Sequence, residues 1–455
     1  MNVGIIGGGF TGLAAGHYLS KKGHKVTIFE RDETCGGLAI GYHEKNWDWT
    51  LEQHYHHWFT NDKSILGLAS EINHNVIIKR PKTSSFVNDS IYQLDSPLSL
   101  LSFPKLNIFN RIRMGVSLAF LRYNPIWRPL EKYHAESYLK FSMGKPAYEK
   151  IWKPLMKNKL GKYASDVALS WFWARVYKRT ESLAYPEGGF LSFAQHLQNK
   201  IHDRGGKFYY STEVTELSSN GKPTITFSTF KRGVTRSGGP PTGTRSEYAF
   251  ARTSGGGAQR QDPEQKKFDA VIVTLPSFLF TKIAPKLPSS YKNKFSKLKG
   301  LGAINMVLRL KKQFLIDGTY WLNMCDDNSP ILAIVEHTNF MDKKYYNNEH
   351  LVYLGNYLSS DDPRFAMSAE QLLKLYDPYL TKINPNYKLS VLSYKLFKAP
   401  FAQPIIPTNY SLLLPPFETP LKNVYLANIQ QVYPWDRGTN YAVELGKKVA
   451  KLITS

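Results

Sequence analysis

Three histidines within four residues form the part of this 455-residue chain that most resembles a site of chemistry. They lie in LEQHYHHWF, residues 51–59, as His54, His56 and His57. Imidazole is a common metal ligand, so a metal site is the first hypothesis. In an extended chain, however, His54 and His56 face one side and His57 faces the other. No HxxxH pattern or carboxylate array accompanies them, so the spacing argues against one shared ion.

The first thirty residues carry the spacing of a dinucleotide-binding motif. VGIIGGGFTGLAAG places Gly7, Gly9 and Gly12 in a GxGxxG pattern between a predicted buried strand, residues 2–6, and a predicted helix. These glycines permit a tight turn, close approach of the backbone to a pyrophosphate, and close packing of helix on strand. The next predicted strand ends at Glu30, whose carboxylate can accept hydrogen bonds from both ribose hydroxyls. The combination predicts a dinucleotide site.

A second glycine pair, Gly36 and Gly37, follows six residues after Glu30 in GGLA. This layout resembles the FAD-dependent superfamily that contains amine oxidases, protoporphyrinogen oxidases, phytoene desaturases and UDP-galactopyranose mutases. The resemblance continues through GKPAYEKIWKPLMKNKLG, YPEGGFLSFAQHL, DAVIVTLP and the C-terminal strand and helix. It therefore covers nearly the whole chain apart from a basic segment described below.

The resemblance implies that FAD is the cofactor and indicates which residues bind it. The residues that match the phosphate and ribose contacts are Gly7, Gly9, Gly12, Glu30, Arg31, Gly36, Gly37 and Leu38. Val214, in STEVTEL, matches the strand-end valine whose backbone holds the adenine. The C-terminal segment ANIQQVYPWDRGTNYA matches the part that runs past the flavin into a helix.

Four residues of that C-terminal segment are implied cofactor contacts: Asn428, Gly438, Thr439 and Asn440. Backbone N–H groups at residues 438–440 would face the flavin pyrimidine oxygens, at a helix N-terminus that stabilises negative charge. Family members usually have Gly-Asp where this chain has Ala427 and Asn428. The contact implied for Asn428 therefore departs from the family pattern.

The resemblance also implies the fold class, α/β with two domains. A Rossmann-like FAD-binding domain is joined to a discontinuous α+β substrate domain, the architecture of p-hydroxybenzoate hydroxylase and the amine oxidases. We expect the FAD-binding domain to comprise residues 1–75, 186–290 and 420–455, and the substrate domain residues 76–185 and 291–419. No second GxGxxG follows another strand, so a separate NAD(P)H domain is not expected. Electrons should pass to oxygen, a quinone or a partner protein.

The formal charge of +23 is concentrated in two regions. Residues 105–179 contain sixteen Lys/Arg against four Asp/Glu, and residues 231–267 contain eight against three. The second region is rich in Gly, Arg, Ser and Pro and has no periodicity, which predicts a disordered basic insertion. We expect it to extend a hairpin turn between the strands PTITFSTF and FDAVIVTLP. No RNA-binding fold accompanies it, so no nucleic-acid partner is expected.

The first basic region contains a predicted amphipathic helix with Arg111, Arg113 and Arg122 beside apolar positions. Those apolar positions are Ile112, Val116, Ala119 and Phe120. We interpret it as a core helix of the substrate domain with solvated arginines. The alternative is a membrane-surface helix, since clustered positive charge attracts anionic head groups.

The cellular compartment follows from the cysteines and the hydropathy. Cys35 and Cys325 are far apart and form no CxxC pair, which fits a reducing compartment. No run of eighteen apolar residues is present. We expect a cytoplasmic protein, with peripheral association at the inner membrane face left open. The sequence does not define the oligomeric state.

The resemblance also addresses the histidines. In the superfamily this stretch follows the GG segment and passes beside the flavin ring, and it is similar to the YGPHIFHT segment of the mutases. His56 matches the first histidine there, which implies a cofactor-facing, catalytic position and no bound metal. For His54 and His57 the alternative is a buried histidine satisfied by backbone hydrogen bonds.

The strand that reads GAINMVLRL bears on the expected reaction, because it lacks a lysine that amine oxidases carry. Amine oxidases carry a lysine near flavin N5 on the strand that here reads GAINMVLRL, and the alignment puts Met306 at that position, which argues against amine oxidation. We expect an oxidoreductase, similar to protoporphyrinogen oxidases and desaturases, that dehydrogenates a C–C or C–N bond of a largely apolar or porphyrin-like small-molecule substrate by hydride transfer to flavin N5. A sugar-nucleotide mutase and a flavin-bearing binding protein are the alternatives. An apolar pocket would favour a desaturase, and paired arginines a mutase.

Overall fold

The computed structural model describes residues 1–232 and 258–455. The strands in these ranges are β1 (Asn2–Ile6), β2 (Lys25–Phe29), β3 (Gly41–Tyr42), β4 (Leu51–Glu52), β5 (Trp58–Phe59), β6 (Val76–Lys79), β7 (Lys82–Val87), β8 (Ser90–Gln93), β9 (Leu183–Pro186), β10 (Lys207–Tyr209), β11 (Thr212–Asn220), β12 (Lys222–Arg232), β13 (Ala258–Arg260), β14 (Glu264–Lys267), β15 (Ala270–Val273), β16 (Gly300–Leu310), β17 (Thr319–Met324), β18 (Ala333–Glu336), β19 (His350–Leu358), β20 (Val391–Pro404) and β21 (Val424–Leu426).

The helices in the same ranges lie mainly in the N-terminal half of the chain. They are α1 (Phe10–Lys21), α2 (Lys63–Glu71), α3 (Pro97–Leu101), α4 (Ile108–Tyr123), α5 (Ala135–Met143), α6 (Lys145–Ala147), α7 (Lys153–Leu160), α8 (Leu169–Lys178), α9 (Phe190–His202), α10 (Ser277–Ile283), α11 (Ser289–Phe295), α12 (Ala369–Ile383) and α13 (Thr439–Thr454).

A parallel sheet with the strand order β10-β2-β1-β15-β21 brings both ends of the chain together. Its central strands are almost wholly apolar and buried, as expected for a parallel sheet covered on both faces. The first and last helices pack closely: a Cβ atom on Gly446 of α13 would lie 2.4 Å from the Thr11 carbonyl oxygen. Motifs near residues 10 and 440 therefore belong to one structural unit. The domain boundaries given above stay a prediction.

A larger mixed sheet has the order β20-β16-β19-β18-β17-β7-β8 among the described residues. One face packs on α12 through a core that includes Ile304 and Met306 of β16. The opposite face carries Asn305 and Val307 toward the segment that contains the three histidines. This alternation is the normal two-residue period of a strand.

The basic insertion predicted for residues 231–267 is partly wrong. Strand β14 pairs antiparallel with β12, with Thr224 opposite Lys267, and β13 pairs farther along β12. FDAVIVTLP supplies β15 to the parallel sheet, and its first residue meets PTITFSTF, where the Phe268 N–H donates to the Pro223 carbonyl oxygen at 2.9 Å. Charged edge strands are well tolerated, so polar composition alone did not exclude them. Residues 233–257, where the rest of the prediction falls, lie outside the described residues.

The predicted core face of the helix in the first basic region is also wrong. Helix α4 buries Asn110, Met114, Ser117 and Leu121, which lie on the side opposite the predicted apolar positions. Ile112, Val116 and Phe120 are 51%, 64% and 51% exposed. The helix is apolar on two sides, and periodicity cannot tell which one meets the core. Nor are the arginines simply solvated, since Arg113 and Arg122 donate to the carbonyls of Ser142 and Tyr177.

Candidate functional site

The turn between β1 and α1 is built for close backbone contact. Gly7 has a φ of +107°, and a Cβ atom on Gly12 would lie 2.0 Å from the Gly7 carbonyl oxygen. Gly9 precedes the first turn of α1. The N–H groups of a first helical turn have no acceptor within the helix, so they can bind an anionic group.

The second glycine pair lies directly against this turn. Gly36 and Gly37 have φ values of +130° and +60°, and the Gly36 N–H donates to the Gly8 carbonyl oxygen at 3.0 Å. A Cβ atom on Gly37 would lie 2.9 Å from the Gly9 Cα atom. Only residues without side chains allow this approach. We call Gly7–Gly9 and Gly36–Gly37 together the glycine groove; Leu38, beside it, packs against the core.

The carboxylate of Glu30 lies at one end of the glycine groove. Its oxygens accept hydrogen bonds from the Gly8 N–H at 2.7 Å and the Asp32 N–H at 2.9 Å. Strand β11, which contains Val214, runs beside the end of β2, where the Thr212 N–H donates to the Glu30 carbonyl oxygen. Arg31 is exposed. The ribose, phosphate and adenine candidates are thus neighbours, although their cofactor contacts remain predictions.

The C-terminal candidates adjoin the histidine segment. Trp58 donates from its indole N–H to the Thr439 hydroxyl at 2.9 Å. The Asn440 side chain accepts from the N–H groups of Ser64 and Ile65, in the first turn of α2. Gly438 precedes α13, whose first turn holds Thr439 and Asn440. The side chains of both residues have structural partners, so any contact with the flavin would come from their backbone.

Asn428 is committed to the protein's own structure. Its side-chain amide donates to the Leu275 carbonyl and the Ser277 hydroxyl, and its oxygen accepts from the Gln430 N–H. The residue is 1% exposed. It joins the loop after β15 to the loop after β21, and a cofactor contact through this side chain stays a prediction.

The three histidine rings have different partners. His54 Nδ1 lies 2.5 Å from the Asn305 amide nitrogen, His56 Nδ1 lies 2.6 Å from the His54 carbonyl oxygen, and His57 Nδ1 lies 3.0 Å from the Tyr320 hydroxyl. The chain between β4 and β5 is irregular, so strand alternation does not apply. Within residues 1–232 and 258–455, no group of three His, Cys, Asp or Glu side chains is arranged to hold a metal ion.

Burial keeps two of these rings neutral. It lowers the pKa of His56 to about 4, and the nearby Arg437 lowers it further, although the hydrogen bond with His54 opposes the shift. The pKa of His57 falls to about 3 because of burial and the neighbouring Arg179 and His56. Both rings are therefore neutral imidazoles at neutral pH.

A group of charged side chains lies around Tyr357, which hydrogen-bonds with Tyr55 of the histidine segment. Arg175 and Asp436 form an ion pair. Arg437 donates to the Gln403 side chain at 2.9 Å and to the Tyr357 hydroxyl. Arg179 and Lys159 complete the group, which we call the cationic cluster: Lys159, Arg175, Arg179 and Arg437, with Asp436 among them.

Lys159 and Arg179 differ in exposure. Burial lowers the pKa of Lys159 well below its usual range, and repulsion from Arg175 adds to this shift. The Arg179 side chain is instead exposed. The Lys159 Nζ atom lies 4.5 Å from the centre of the Tyr357 ring. Tyr357 also borders a surface cleft of about 660 Å³, which makes that cleft the candidate entrance.

These features match those of known flavoproteins. The family model for flavin containing amine oxidoreductases matches residues 10–454. The chain belongs to this family. The oxidoreductase is therefore a flavin-dependent enzyme, and its cofactor is FAD. The glycine groove fits that cofactor, because it offers backbone N–H donors and no side chain that would block a ligand. The Glu30 carboxylate at its end could accept hydrogen bonds from the ribose, and the start of α13 offers further backbone donors.

Solved structures show the same two-domain fold for this family member. A putative protoporphyrinogen oxidase from Exiguobacterium sp. 255-15 has a TM-score of 0.72 at 15% identity, covering 99% of this chain and 98% of that one. A reduced UDP-galactopyranose mutase has a TM-score of 0.73 at 14% identity, covering 100% and 96%. At such identities the likeness concerns the fold alone.

Curated relatives match only short segments of the oxidoreductase. The 15-cis-phytoene desaturase of Synechococcus elongatus is 30% identical over 90 residues, which cover 18% of this chain and 19% of that protein. Across the curated relatives, the match spans between 2% and 19% of their length. They add no full-length assignment of substrate.

The residue predicted at the lysine position of the amine oxidases is corrected by the structure. Met306 is fully buried on the α12 side of β16, away from the histidine segment. Asn305, the preceding residue, faces His54. A shift of one residue in a strand moves a side chain to the opposite face. Neither Asn305 nor Met306 is a lysine, so the oxidoreductase has no lysine at either position.

Sequence reasoning missed Glu52, which fixes one end of the histidine segment. Its carboxylate is fully buried and accepts hydrogen bonds from the Tyr185 hydroxyl and the Phe190 N–H, all at 2.9 Å. Burial raises its pKa to about 7, against the effect of these hydrogen bonds. Its signal in the sequence was an acidic residue next to an aromatic and histidine run. The cationic cluster, also missed, has no such signal.

Proposed function

We propose that the enzyme dehydrogenates a C–C or C–N bond of a small-molecule substrate. Bound FAD supplies the hydride acceptor, N5 of the flavin. The observation that supports this reaction is the neutral wall formed by His56 and His57, whose pKa values of about 4 and 3 make both rings weak bases. The hydride leaves one substrate atom for N5 and the adjacent atom loses its proton to water, so the reaction does not depend on either imidazole as a base.

The protein's part in this reaction is positioning. Glu52 and Trp58 hold the two ends of the histidine segment, against α9 and α13 respectively. Between them Tyr55 lies on the larger sheet, where a Cβ atom on Gly355 would be 2.5 Å from its ring. His56, held by the His54 carbonyl, would then face the flavin and limit access to it. Fixed side chains of this kind hold a substrate in reactive geometry.

Anaerobic mixing tests the proposed reaction. Protoporphyrinogen, phytoene and putrescine are the probes, and we expect at least one to bleach the oxidised flavin without any other reductant. Asn305 stands near the lysine position of the amine oxidases, so putrescine should be the poorest of the three. If none bleaches the flavin, and dithionite-reduced enzyme converts UDP-galactopyranose instead, the dehydrogenase proposal is wrong.

The second candidate is a flavin-dependent sugar-nucleotide mutase. The cationic cluster is the observation that favours it, because Arg175, Arg179 and Arg437 could bind a diphosphate. A mutase needs reduced flavin but produces no net bleaching. The two candidates are therefore separated by whether activity requires prior reduction of the enzyme.

We also propose oxygen or a quinone as the electron acceptor, with the enzyme at the inner face of a membrane. In the described chain no helix has both the length and the apolar composition needed to cross a bilayer. A surface position is supported by α4, which presents a row of large apolar side chains, each at least 51% exposed: Ile108, Phe109, Ile112, Val116, Phe120 and Tyr123. We call this row the outer face.

The surroundings of the outer face favour an anionic lipid surface. Arg111 donates to the Leu101 carbonyl and Arg113 to the Phe141 carbonyl, so two further exposed apolar residues adjoin the row. Residues 105–179 carry sixteen Lys/Arg against four Asp/Glu. Apolar side chains with a basic surround are typical of helices that lie in the membrane interface.

Vesicle flotation tests the outer face. Binding to phosphatidylcholine vesicles that contain phosphatidylglycerol should fall in the double variant Val116→Glu with Phe120→Glu. Ile316→Glu is the matched control, because Ile316 is 81% exposed outside the outer face. Equal flotation of all three proteins would contradict the proposal, as would loss of a dimer in the double variant without any vesicle binding by the unmodified enzyme.

A further inference from the structure

A second surface cleft, with a volume of about 750 Å³, lies beside the start of α4. Its lining residues come from α4 and the chain before it, from the segment between α6 and α7, and from the loop after β17. They include Lys105, Asn110, Lys150, Asp326 and Asp327. No lining residue belongs to the glycine groove, the histidine segment or the cationic cluster. We call this space the lateral cleft; its volume suits a small ligand.

The charged side chains of the lateral cleft are only partly paired within the protein. Asp89 pairs with Lys382 at 3.0 Å, and Glu149 pairs with Lys153 at 2.6 Å. Four others form no ion pair in the part of the chain that the structure describes: Lys105, Lys150, Asp326 and Asp327. Two cations and two carboxylates therefore remain, and their charges cancel. A ligand that carries one positive and one negative group matches this set better than a simple anion or cation does.

Two polar groups in the lateral cleft lack hydrogen-bond partners. Asn110 is 8% exposed, and its backbone N–H donates to the Asn107 side chain. Its own side-chain amide has no partner among the described residues. The Asp327 Oδ1 atom is buried and also has no partner there. Buried polar groups are normally hydrogen-bonded, so a ligand with both donors and acceptors would stabilise these two.

The position of the lateral cleft connects it with the outer face. Asn110 lies in the first turn of α4, and the outer face begins in the same turn with Ile108 and Phe109, which are 57% and 67% exposed. The first N–H groups of this 16-residue helix have no acceptor within it, and the helix dipole favours an anion at this end. A polar cleft thus opens beside a row of exposed apolar side chains. This arrangement suits a molecule with a polar head and apolar chains.

We propose that the lateral cleft binds the phosphoethanolamine head group of a phospholipid. Lys105, Lys150 and the first turn of α4 bind the phosphate, and Asp327 with the Asn110 side-chain oxygen accepts hydrogen bonds from the ammonium group. The acyl chains then lie along the outer face. A head group with no net charge fits the balanced charges of the cleft, and a primary ammonium has the N–H donors that a trimethylammonium lacks. The inference rests on the membrane position proposed above and names the lipid.

Calorimetric titration of the holoenzyme with glycerophosphoethanolamine tests the lateral cleft without a membrane. We expect saturable binding, and weaker binding of glycerophosphocholine. Lys150→Gln and Asp327→Asn should each weaken the binding of glycerophosphoethanolamine about tenfold or more, the loss expected for a charged hydrogen bond. Lys162→Gln and Asp361→Asn are the matched controls. Both residues are exposed, and they border the candidate entrance, as Asp327 also does, without lining the lateral cleft.

Flotation with vesicles then separates a lipid from a free metabolite. Adding phosphatidylethanolamine to phosphatidylcholine vesicles should increase flotation of the unmodified enzyme, and Lys150→Gln and Asp327→Asn should remove that increase. Binding of soluble glycerophosphoethanolamine without the increase would overturn the lipid assignment. No saturable binding, or equal losses in the control variants, would overturn the site itself. Flotation with phosphatidylglycerol tests the outer face separately, so the lateral cleft can fail while the membrane position stands.

Discussion

The glycine groove and the cationic cluster are two regions of the molecule that are built in different ways. The groove consists of backbone from two short loops, and its key property is the absence of side chains at Gly7, Gly9 and Gly37. The cluster consists of side chains from α7, α8 and the C-terminal segment. A backbone site suits a cofactor common to a family, whereas a side-chain site can change with the substrate.

The largest expected effect comes from adding one carbon atom at Gly12, where α1 packs on the glycine groove. Gly12→Ala would place a Cβ atom 2.0 Å from the Gly7 carbonyl oxygen, so α1 must move away from β1. We expect loss of bound FAD and a lower melting temperature. The control is Gly67→Ala, since Gly67 is also helical but has no atom within 4 Å of the added carbon. That change should be neutral or stabilise by about 0.5–1 kcal/mol; equal melting temperatures would refute the packing argument.

The buried carboxylate of Glu52 should make stability depend on pH. The pKa of Glu52 rises from 4.5 in the unfolded chain to about 7 in the folded enzyme. The folded state therefore binds the extra proton, and its stabilising effect is complete below pH 4.5 and lost as pH rises through 7. The maximum change is about 3 kcal/mol. His56 and His57 act in the opposite direction, since their lowered pKa values destabilise the fold as pH falls below 6.5.

Glu52→Gln isolates the carboxylate contribution. Denaturant titrations at several pH values give the free energy of unfolding of each protein. As pH rises from 4.5 to 7, this free energy should decline in the parent because of Glu52, and the variant should lack that decline. The histidine contribution remains in both proteins and cancels in the comparison. A constant difference between them across this range would show that Glu52 does not titrate there.

Removing the ribose acceptor sharpens the assignment of the groove. Glu30→Ala should weaken FAD binding by about 1.5–3 kcal/mol, the range for hydrogen bonds to charged groups. The control is Glu33→Ala, because Glu33 is exposed on the same loop. Fluorescence titration of the apo-protein measures both affinities. Equal affinities would mean that the end of β2 does not contact the ribose.

At His56 we expect a substitution to have little effect on FAD binding but a clear effect on turnover. His56→Ala should retain FAD, because its contacts are with the His54 carbonyl and Phe190. Turnover should fall by about 10–100-fold, the cost of slight misplacement of reacting groups. His43→Ala, at an exposed position, is the control. Stoichiometric zinc or iron that disappears with His56 would restore the metal hypothesis.

The difference between the glycine groove and the cationic cluster explains what the sequence could predict. The groove depends on glycine spacing within forty residues, and β1, α1, β2 and α13 formed close to the predicted positions. The outer face of α4 was assigned to the core, because periodicity defines faces without saying which one meets the core. Met306 was placed by alignment, where a shift of one residue moves a side chain to the opposite face of the strand. The cationic cluster unites residues from 159 to 437, whose proximity depends on tertiary structure alone.

FAD affinity measures directly whether the glycine groove and the cationic cluster have separate roles. The account predicts that Gly37→Val loses FAD, because its Cβ atom would approach the Gly9 Cα atom to 2.9 Å at a φ of +60°. It predicts that Arg179→Gln binds FAD as tightly as the unmodified enzyme. Titration of FAD into the three apo-proteins gives both answers. Weak binding by Arg179→Gln, or normal binding by Gly37→Val, would contradict the assignment of the cofactor to the glycine groove and not to the cationic cluster.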